Sequence, residues 1–308
     1  MHQATGRLCP LLLIAALAVH CAKSVPRGPA EHSPAQIPTA TIPSAAAQAP
    51  TTAETTPAPC AAWPRYEPTP LQRERDEIFS LLAYAVALKD WQQKGPGGRG
   101  LNVAAVLVDP ERGPVCWARQ AVRATGNVTQ HAEVVLATTF LHNTRSFNLK
   151  GYRVYVTLEP CAMCAGTLLM ARADAVIYGQ KAGGSGDALA HLARDSSTHG
   201  GSCPYPYAIT AAEAPSEFPA LLQRAAHVHG AGDRHFLLTD AARKVYEKAA
   251  AKLAGYGVRE SANASTLVAA QRFLQQVPAS YLAAPYAVAC PPPDSALSRR
   301  APNSRTTH

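Results

Sequence analysis

Apolar and polar positions alternate along the middle of this chain in a way that predicts helices and strands in turn. Between residues 73 and 94 apolar side chains recur at helical spacing, and a glycine-rich stretch ends the pattern. Residues 101–108 form a short apolar run typical of a buried strand, and residues 115–121 form the returning strand after a turn at 109–113. A polar loop at 123–130 follows.

The alternation continues beyond this loop. A helix is predicted to open at His131, a strand covers residues 153–158, an apolar helix follows Cys161, and another strand covers residues 175–178. The resulting order of helix, hairpin, helix, strand, helix and strand describes an α/β sandwich around one mixed sheet.

The two ends of the chain have a different composition. Residues 23–70 contain eleven prolines among Ala, Thr and Gln, which predicts a disordered linker that cannot bury a core. Residues 227–290 predict a helical C-terminal extension, in which Thr239 is the N-cap of one helix and residues 266–276 form another. These helices either cover the core or shape a surface for a partner. Residues 291–308 are polar and are predicted to be disordered.

Residues 1–22 are typical of an export signal. Arg7 precedes the apolar run 8–19, which is too short to span a bilayer, so no transmembrane helix is expected. Cys21 offers a site for a lipid anchor, as in a lipoprotein leader, although His20 precedes it. We therefore expect an exported protein, in the periplasm, in the cell envelope or outside the cell; the alternative is a cytoplasmic protein.

The net charge and the cysteine content exclude few classes of protein. The net charge of +8 is spread along all 308 residues, and no concentrated basic stripe marks a dedicated nucleic-acid binder. Eight cysteines are too few for a disulfide scaffold at this length. A bridge between Cys60 and Cys290 is one option in an exported protein.

One group of residues in the middle of the chain combines possible metal ligands with an acidic residue. His131 and Glu133 open one helix, and Pro160 precedes Cys161 and Cys164 at the start of another. Two thiolates and an imidazole are zinc ligands, and three of them leave one tetrahedral position open, as in catalytic sites. Glu133 points away from the ligand direction and is therefore the candidate proton carrier.

Other interpretations of the same residues remain open. A C-x-x-C pair also occurs in redox sites, and a structural zinc site would take Cys116 or Cys203 as its fourth ligand. Glu159 precedes Pro160 and is expected to brace the loop. A group of histidines, His227, His229 and His235, forms either a second metal site or an ordinary polar surface.

The pattern H-x-E…P-C-x-x-C resembles the signature of zinc nucleobase deaminases. The order of elements is similar to the cytidine deaminase-like superfamily, and residues 154–166 and 171–179 most resemble bacterial tRNA adenosine deaminases. The resemblance covers residues 71–226, with a last strand at 207–210 and a helix at 218–224. It implies a three-layer α-β-α sandwich around a mixed five-stranded sheet, a Zn²⁺ cofactor held by His131, Cys161 and Cys164, and Glu133 as the catalytic residue.

The resemblance also implies a function. We expect a zinc-dependent hydrolytic deaminase that acts on adenosine or cytidine in tRNA or other nucleic acid. The alternatives are a deaminase of a free nucleoside or base, and a non-catalytic interaction module that zinc stabilises. The resemblance to the family also suggests that this chain forms a homodimer.

One position departs from the tRNA enzymes. Those usually carry a base-binding Asn after the Trp of the second strand, where this chain has Ala118 after Trp117. Gln120 and Asn127 are the candidate substitutes for substrate binding.

Overall fold

The computed structural model describes residues 64–95, 97–192, 207, 209–230 and 233–280. The predicted leader with Cys21, most of the linker, the C-terminal tail and Cys203 lie outside these residues, so the expectations about them stay predictions. No helix within the described ranges combines the length and the apolar character needed to cross a membrane.

The described residues build five strands into one mixed sheet, which confirms the predicted fold class. The strands, in chain order, are β1 (Ala104–Asp109), β2 (Gly113–Arg119), β3 (Arg153–Leu158), β4 (Ala175–Gln180) and β5 (Thr210–Glu213). The spatial order is β2-β1-β3-β4-β5. β1 pairs antiparallel with β2 and β3, whereas β3, β4 and β5 run parallel. Every residue of β1 is buried, as expected for a strand covered on both faces.

Helices cover the sheet in two groups. The helices are α1 (Pro70–Leu88), α2 (Val122–Thr125), α3 (Ala132–Thr144), α4 (Ala162–Met170), α5 (Ala188–Leu192), α6 (Phe218–His229), α7 (Asp233–Phe236), α8 (Asp240–Ala254) and α9 (Ala264–Gln276). α3 packs on α4 and on β1 and β2, while α1 packs on the sheet together with α8 and α9. α8 therefore covers the core through α1, and α9 also contacts β2 directly.

The helix predicted to reach residue 94 ends at Leu88. The backbone N–H of Gln92 donates to Oδ1 of Asn102 at 2.7 Å, and the carbonyl of Gln92 accepts from Nδ2 of Asn102 at 2.8 Å. These bonds occupy the backbone groups that a longer helix would need. The predicted end was therefore wrong, because a side chain ten residues further along the chain competes for the backbone.

Three buried carboxylates on α1 attach it to its surroundings. Asp76 accepts hydrogen bonds from the hydroxyl groups of Tyr66 and Tyr155, both at 2.6 Å. Glu74 and Glu77 instead bind the C-terminal extension. Backbone N–H of Arg259 donates to Glu74 at 2.6 Å, and the Arg259 guanidinium lies 2.6 Å from Glu77. Buried acids of this kind are stable because each is paired, and they connect the extension to the core.

Candidate active site

Two helices begin at the predicted ligands. His131 is the N-cap of α3 and Cys161 is the N-cap of α4, and neither side chain makes a capping hydrogen bond. Both side chains are therefore left to point at a common centre, where Cys164 joins them from the first turn of α4. The positive ends of two helices meet there, which favours thiolates and other anionic ligands.

The three ligand atoms have the spacing of a tetrahedral zinc site. Nδ1 of His131 lies 3.6 Å from Sγ of Cys161 and 3.5 Å from Sγ of Cys164, and the two sulfurs are 3.6 Å apart. Zinc bond lengths in tetrahedral geometry require about 3.8 Å between sulfurs and about 3.6 Å between sulfur and nitrogen. The donor set and its dimensions therefore fit Zn²⁺.

The protonation preferences of the two thiols differ. Hydrogen bonds from Cys164 and His131 lower the pKa of Cys161 to about 3. Hydrogen bonding to that thiolate, together with burial, raises the pKa of Cys164. Without a further positive charge the pair thus holds one thiolate, and a divalent cation is the natural partner for a second.

Glu133 lies in the first turn of α3, only 3 % exposed, and lines the same cavity as His131 and Cys161. Because His131 is the N-cap and not a helical residue, the regular rotation between helical residues does not relate its side chain to that of Glu133. Burial raises the pKa of Glu133 to about 7. A carboxyl group in this range can both accept and donate a proton near neutral pH.

The cavity above the ligands has a volume of about 620 Å³. It opens where β3 and β4 end, and both strands run parallel, so the loops after them meet at one edge of the sheet. Its apolar lining includes Leu101, Val103, Leu158 and Leu238. A volume of this size is typical of sites for small molecules.

Residues 74–180 match the cytidine and deoxycytidylate deaminase zinc-binding region. The tRNA-specific adenosine deaminase of Bacillus subtilis is 35% identical over 129 residues, which cover 41% of this chain and 76% of that protein. This chain belongs to the cytidine and deoxycytidylate deaminase family.

Other relatives share shorter parts with this deaminase family member. The tRNA-specific adenosine deaminase of Haemophilus influenzae is 32% identical over 109 residues, covering 35% of this chain and 60% of that protein. A solved tRNA:A34 deaminase structure, studied for A-to-I editing at the wobble position, is 26% identical, with a TM-score of 0.30 over 36% of this chain and 77% of that chain. The guanine deaminase of Bacillus subtilis is 26% identical, with a TM-score of 0.31 over 39% and 71%.

In this deaminase family member Glu159 braces the loops at the strand ends, as the sequence predicted. Its Oε2 accepts a hydrogen bond from backbone N–H of Ala182, and its Oε1 accepts one from Asp187, both at 3.0 Å. Gly186 permits this arrangement, since a Cβ there would lie 2.6 Å from Oε2 of Glu159. Glu159 is thus engaged by the backbone, which leaves Glu133 as the candidate proton carrier.

The two candidate substrate residues occupy different places. Gln120 is buried and lines the cavity, with its Oε1 accepting from backbone N–H of Leu101 at 2.6 Å. Asn127 is exposed, and its Oδ1 accepts from N and Oγ1 of Thr129 at 2.9 and 2.8 Å. Only Gln120 is among the described residues that line the cavity.

Among the described residues, neither the histidine site nor a site with Cys116 as its fourth ligand is formed. Within the described ranges, His131, Cys161 and Cys164 are the only group that could hold a metal ion, so the histidines of the predicted second site do not converge. Cys116 takes part in a disulfide and is not a fourth ligand.

The sequence pattern did not reveal two residues that line the cavity. Arg123 comes from α2, within the predicted loop, and His235 comes from α7, beyond the region of family similarity. Neither residue belongs to a motif, and only the packing of the C-terminal extension brings His235 to the site.

Proposed function

We propose that this protein is a zinc-dependent hydrolytic deaminase that acts on a nucleobase. The observation that carries the proposal is the combination of three ligand atoms at 3.5–3.6 Å with a buried carboxyl group, Glu133, in the same cavity. A zinc site that served stability alone would have no use for a buried acid in the same cavity.

His131, Cys161 and Cys164 would hold the zinc ion. When bound, zinc acts as a Lewis acid that makes water a nucleophile at neutral pH. Glu133 would take a proton from the attacking water and deliver it to the ring nitrogen beside the target carbon. It would deliver a second proton to the amino group, so that the carbon–nitrogen bond breaks and ammonia leaves while the water oxygen becomes the product carbonyl.

The first choice of substrate is adenosine in tRNA or other nucleic acid, with cytidine as the second base. The names of the relatives support this choice, because the proteins from Bacillus subtilis and Haemophilus influenzae are both called tRNA-specific adenosine deaminase. A free nucleoside or base remains the alternative, and the small cavity of about 620 Å³ favours it.

A substrate panel tests the proposal. Ammonia release would be measured with purified zinc-loaded protein on tRNA, single-stranded DNA, nucleosides and free bases, with Glu133→Gln as the matched inactive control. We expect release from at least one nucleobase and none above background in the control. No release from any member of the panel would overturn the proposed function.

A further inference from the structure

The cavity has a buried floor and an exposed rim. Glu133 and Gln120, only 3% and 7% exposed, form part of the floor beside the ligands. Arg123, Val128 and His235 also line the cavity but are exposed to solvent. A nucleobase whose amino group reaches Glu133 would therefore extend the rest of its molecule towards this rim.

Charge differs between floor and rim. The carboxylates that line the cavity, Glu133 and Glu159, are both buried, and Glu159 is engaged by two backbone N–H groups. The exposed lining residues of the described ranges include Arg123 and His235 but no acidic side chain. The rim thus offers hydrogen-bond donors and positive charge to whatever part of the substrate lies there.

Backbone carbonyl groups hold the guanidinium of Arg123 in place. Its Nη1 donates to the carbonyls of Gly95 and Gly97 at 2.7 and 3.2 Å, and its backbone N donates to Arg99 at 3.1 Å. Within the part of the chain that the structure describes, no acidic side chain pairs with this guanidinium. The described residues supply no acceptor for Nε and Nη2, which have the planar donor geometry that suits phosphate oxygens.

His235 is positioned by a well-anchored segment. Phe236 and Leu237, which follow it, are fully buried, and the carbonyl of Leu237 accepts from Nδ2 of Asn102 at 2.8 Å. The hydroxyl of Thr239 donates to the carbonyl of Phe236 at 2.7 Å. The backbone that carries His235 is thus anchored beside the cavity, although His235 lies beyond the family match, which ends at residue 180.

We propose that Arg123 and His235 bind a phosphate group of the substrate, so that the protein prefers a nucleotide over the matching nucleoside. This inference rests on the proposed function for the identity of the base. The phosphate belongs either to a free nucleoside monophosphate or to a nucleic-acid strand. In both cases the guanidinium and the imidazole supply the charge-assisted hydrogen bonds.

Calorimetric binding tests the proposal independently of turnover. Adenosine, guanosine and cytidine would each be compared with the 5′-monophosphate and with a short oligonucleotide of the same base. For the base that binds, we expect the phosphorylated ligand to bind about tenfold more tightly, the effect of one charge-assisted hydrogen bond. Each of the variants Arg123→Gln and His235→Ala should reduce the ratio of phosphorylated-ligand affinity to nucleoside affinity and leave the nucleoside affinity within about twofold. The control is Arg224→Gln, on the exposed face of α6, which should change neither the ratio nor the nucleoside affinity.

The source of the phosphate follows from the two phosphorylated ligands. If the Arg123→Gln and His235→Ala variants lose the preference for the monophosphate alone, the phosphate belongs to a free nucleotide. If they lose the preference for the oligonucleotide, the phosphate belongs to a nucleic-acid strand. With unmodified protein, inorganic phosphate should compete with the phosphorylated ligand and not with the nucleoside. Equal affinity for nucleoside and nucleotide, or a preference that survives in both variants, would overturn the proposal. A preference for phosphate without ammonia release from any base would overturn the proposed function and leave the phosphate site standing.

Discussion

The side-chain nitrogen of Asn102 donates a 2.8 Å hydrogen bond to the backbone carbonyl of Leu237. Both residues are fully buried, and the same nitrogen also donates to the carbonyl of Gln92. One amide therefore joins the loop after α1, the residues before β1 and the C-terminal segment that contributes His235 to the cavity.

Asn102→Ala should destabilise this junction. The substitution leaves the carbonyls of Gln92 and Leu237 without their buried donor, which costs about 1–3 kcal/mol for each unsatisfied group. We expect a lower free energy of unfolding in urea and weaker binding of the substrate. Asn143→Ala, on the half-buried face of α3, is the control and should change stability by less than about 0.5 kcal/mol. Equal free energies of unfolding in the two variants would show that the hydrogen bonds of Asn102 do not hold the segment that carries His235.

The zinc ligands can be tested by metal content. Cys161→Ala and Cys164→Ala each remove one of three donors, so purified protein should fall from about one zinc per chain to well below that value. Thr167→Ala lies on the same helix and outside the ligand set, and it should retain zinc. Elemental analysis by mass spectrometry gives the ratio. Full zinc retention in either cysteine variant would exclude this ligand set.

The core of the site was predictable because its spacing is local. His131 and Glu133 are two positions apart, Cys161 and Cys164 are three apart, and both pairs begin helices that the apolar pattern predicts. The strand at residues 153–158 was predicted with its observed bounds, since a buried run between turn residues has few other interpretations.

Contacts between distant parts of the chain could not be predicted in this way. The early end of α1 depends on Asn102, and the buried acids Glu74 and Glu77 depend on Arg259, more than 180 residues away. A hydrophobic pattern treats such polar residues as exposed. It also cannot distinguish Gln120, which lines the cavity, from Asn127, which is exposed.

Glu77 should make stability depend on pH. Burial acts to raise its pKa, but hydrogen bonds from Arg259, Lys252 and Tyr256 outweigh this effect and leave the pKa below its ordinary value. A folded pKa below the unfolded one, about 4.3, gives stability that is present above that pH and is lost as pH falls through the folded pKa. We expect urea unfolding of the unmodified protein to show a free energy of unfolding that decreases as the pH falls.

Glu77→Gln should be less stable by about 1–3 kcal/mol at neutral pH and should lose less stability on acidification. Glu247→Gln is the matched control, because its pair with Arg243 at 2.9 Å is exposed, with 43% and 48% of the two side chains accessible. Such pairs contribute about 0.2–1 kcal/mol. The same acid dependence in both variants would contradict the role assigned to Glu77.

The most direct test of the central claim compares the unmodified protein with Glu133→Gln at equal zinc content. Both would be assayed on the best substrate of the panel in heavy-oxygen water, with ammonia and labelled product measured together. We predict one ammonia for each labelled carbonyl in the unmodified protein, and a turnover at least ~10²-fold lower in Glu133→Gln with its zinc retained. Near-normal turnover in the zinc-loaded variant, or a product without the water oxygen, would contradict hydrolytic deamination through Glu133.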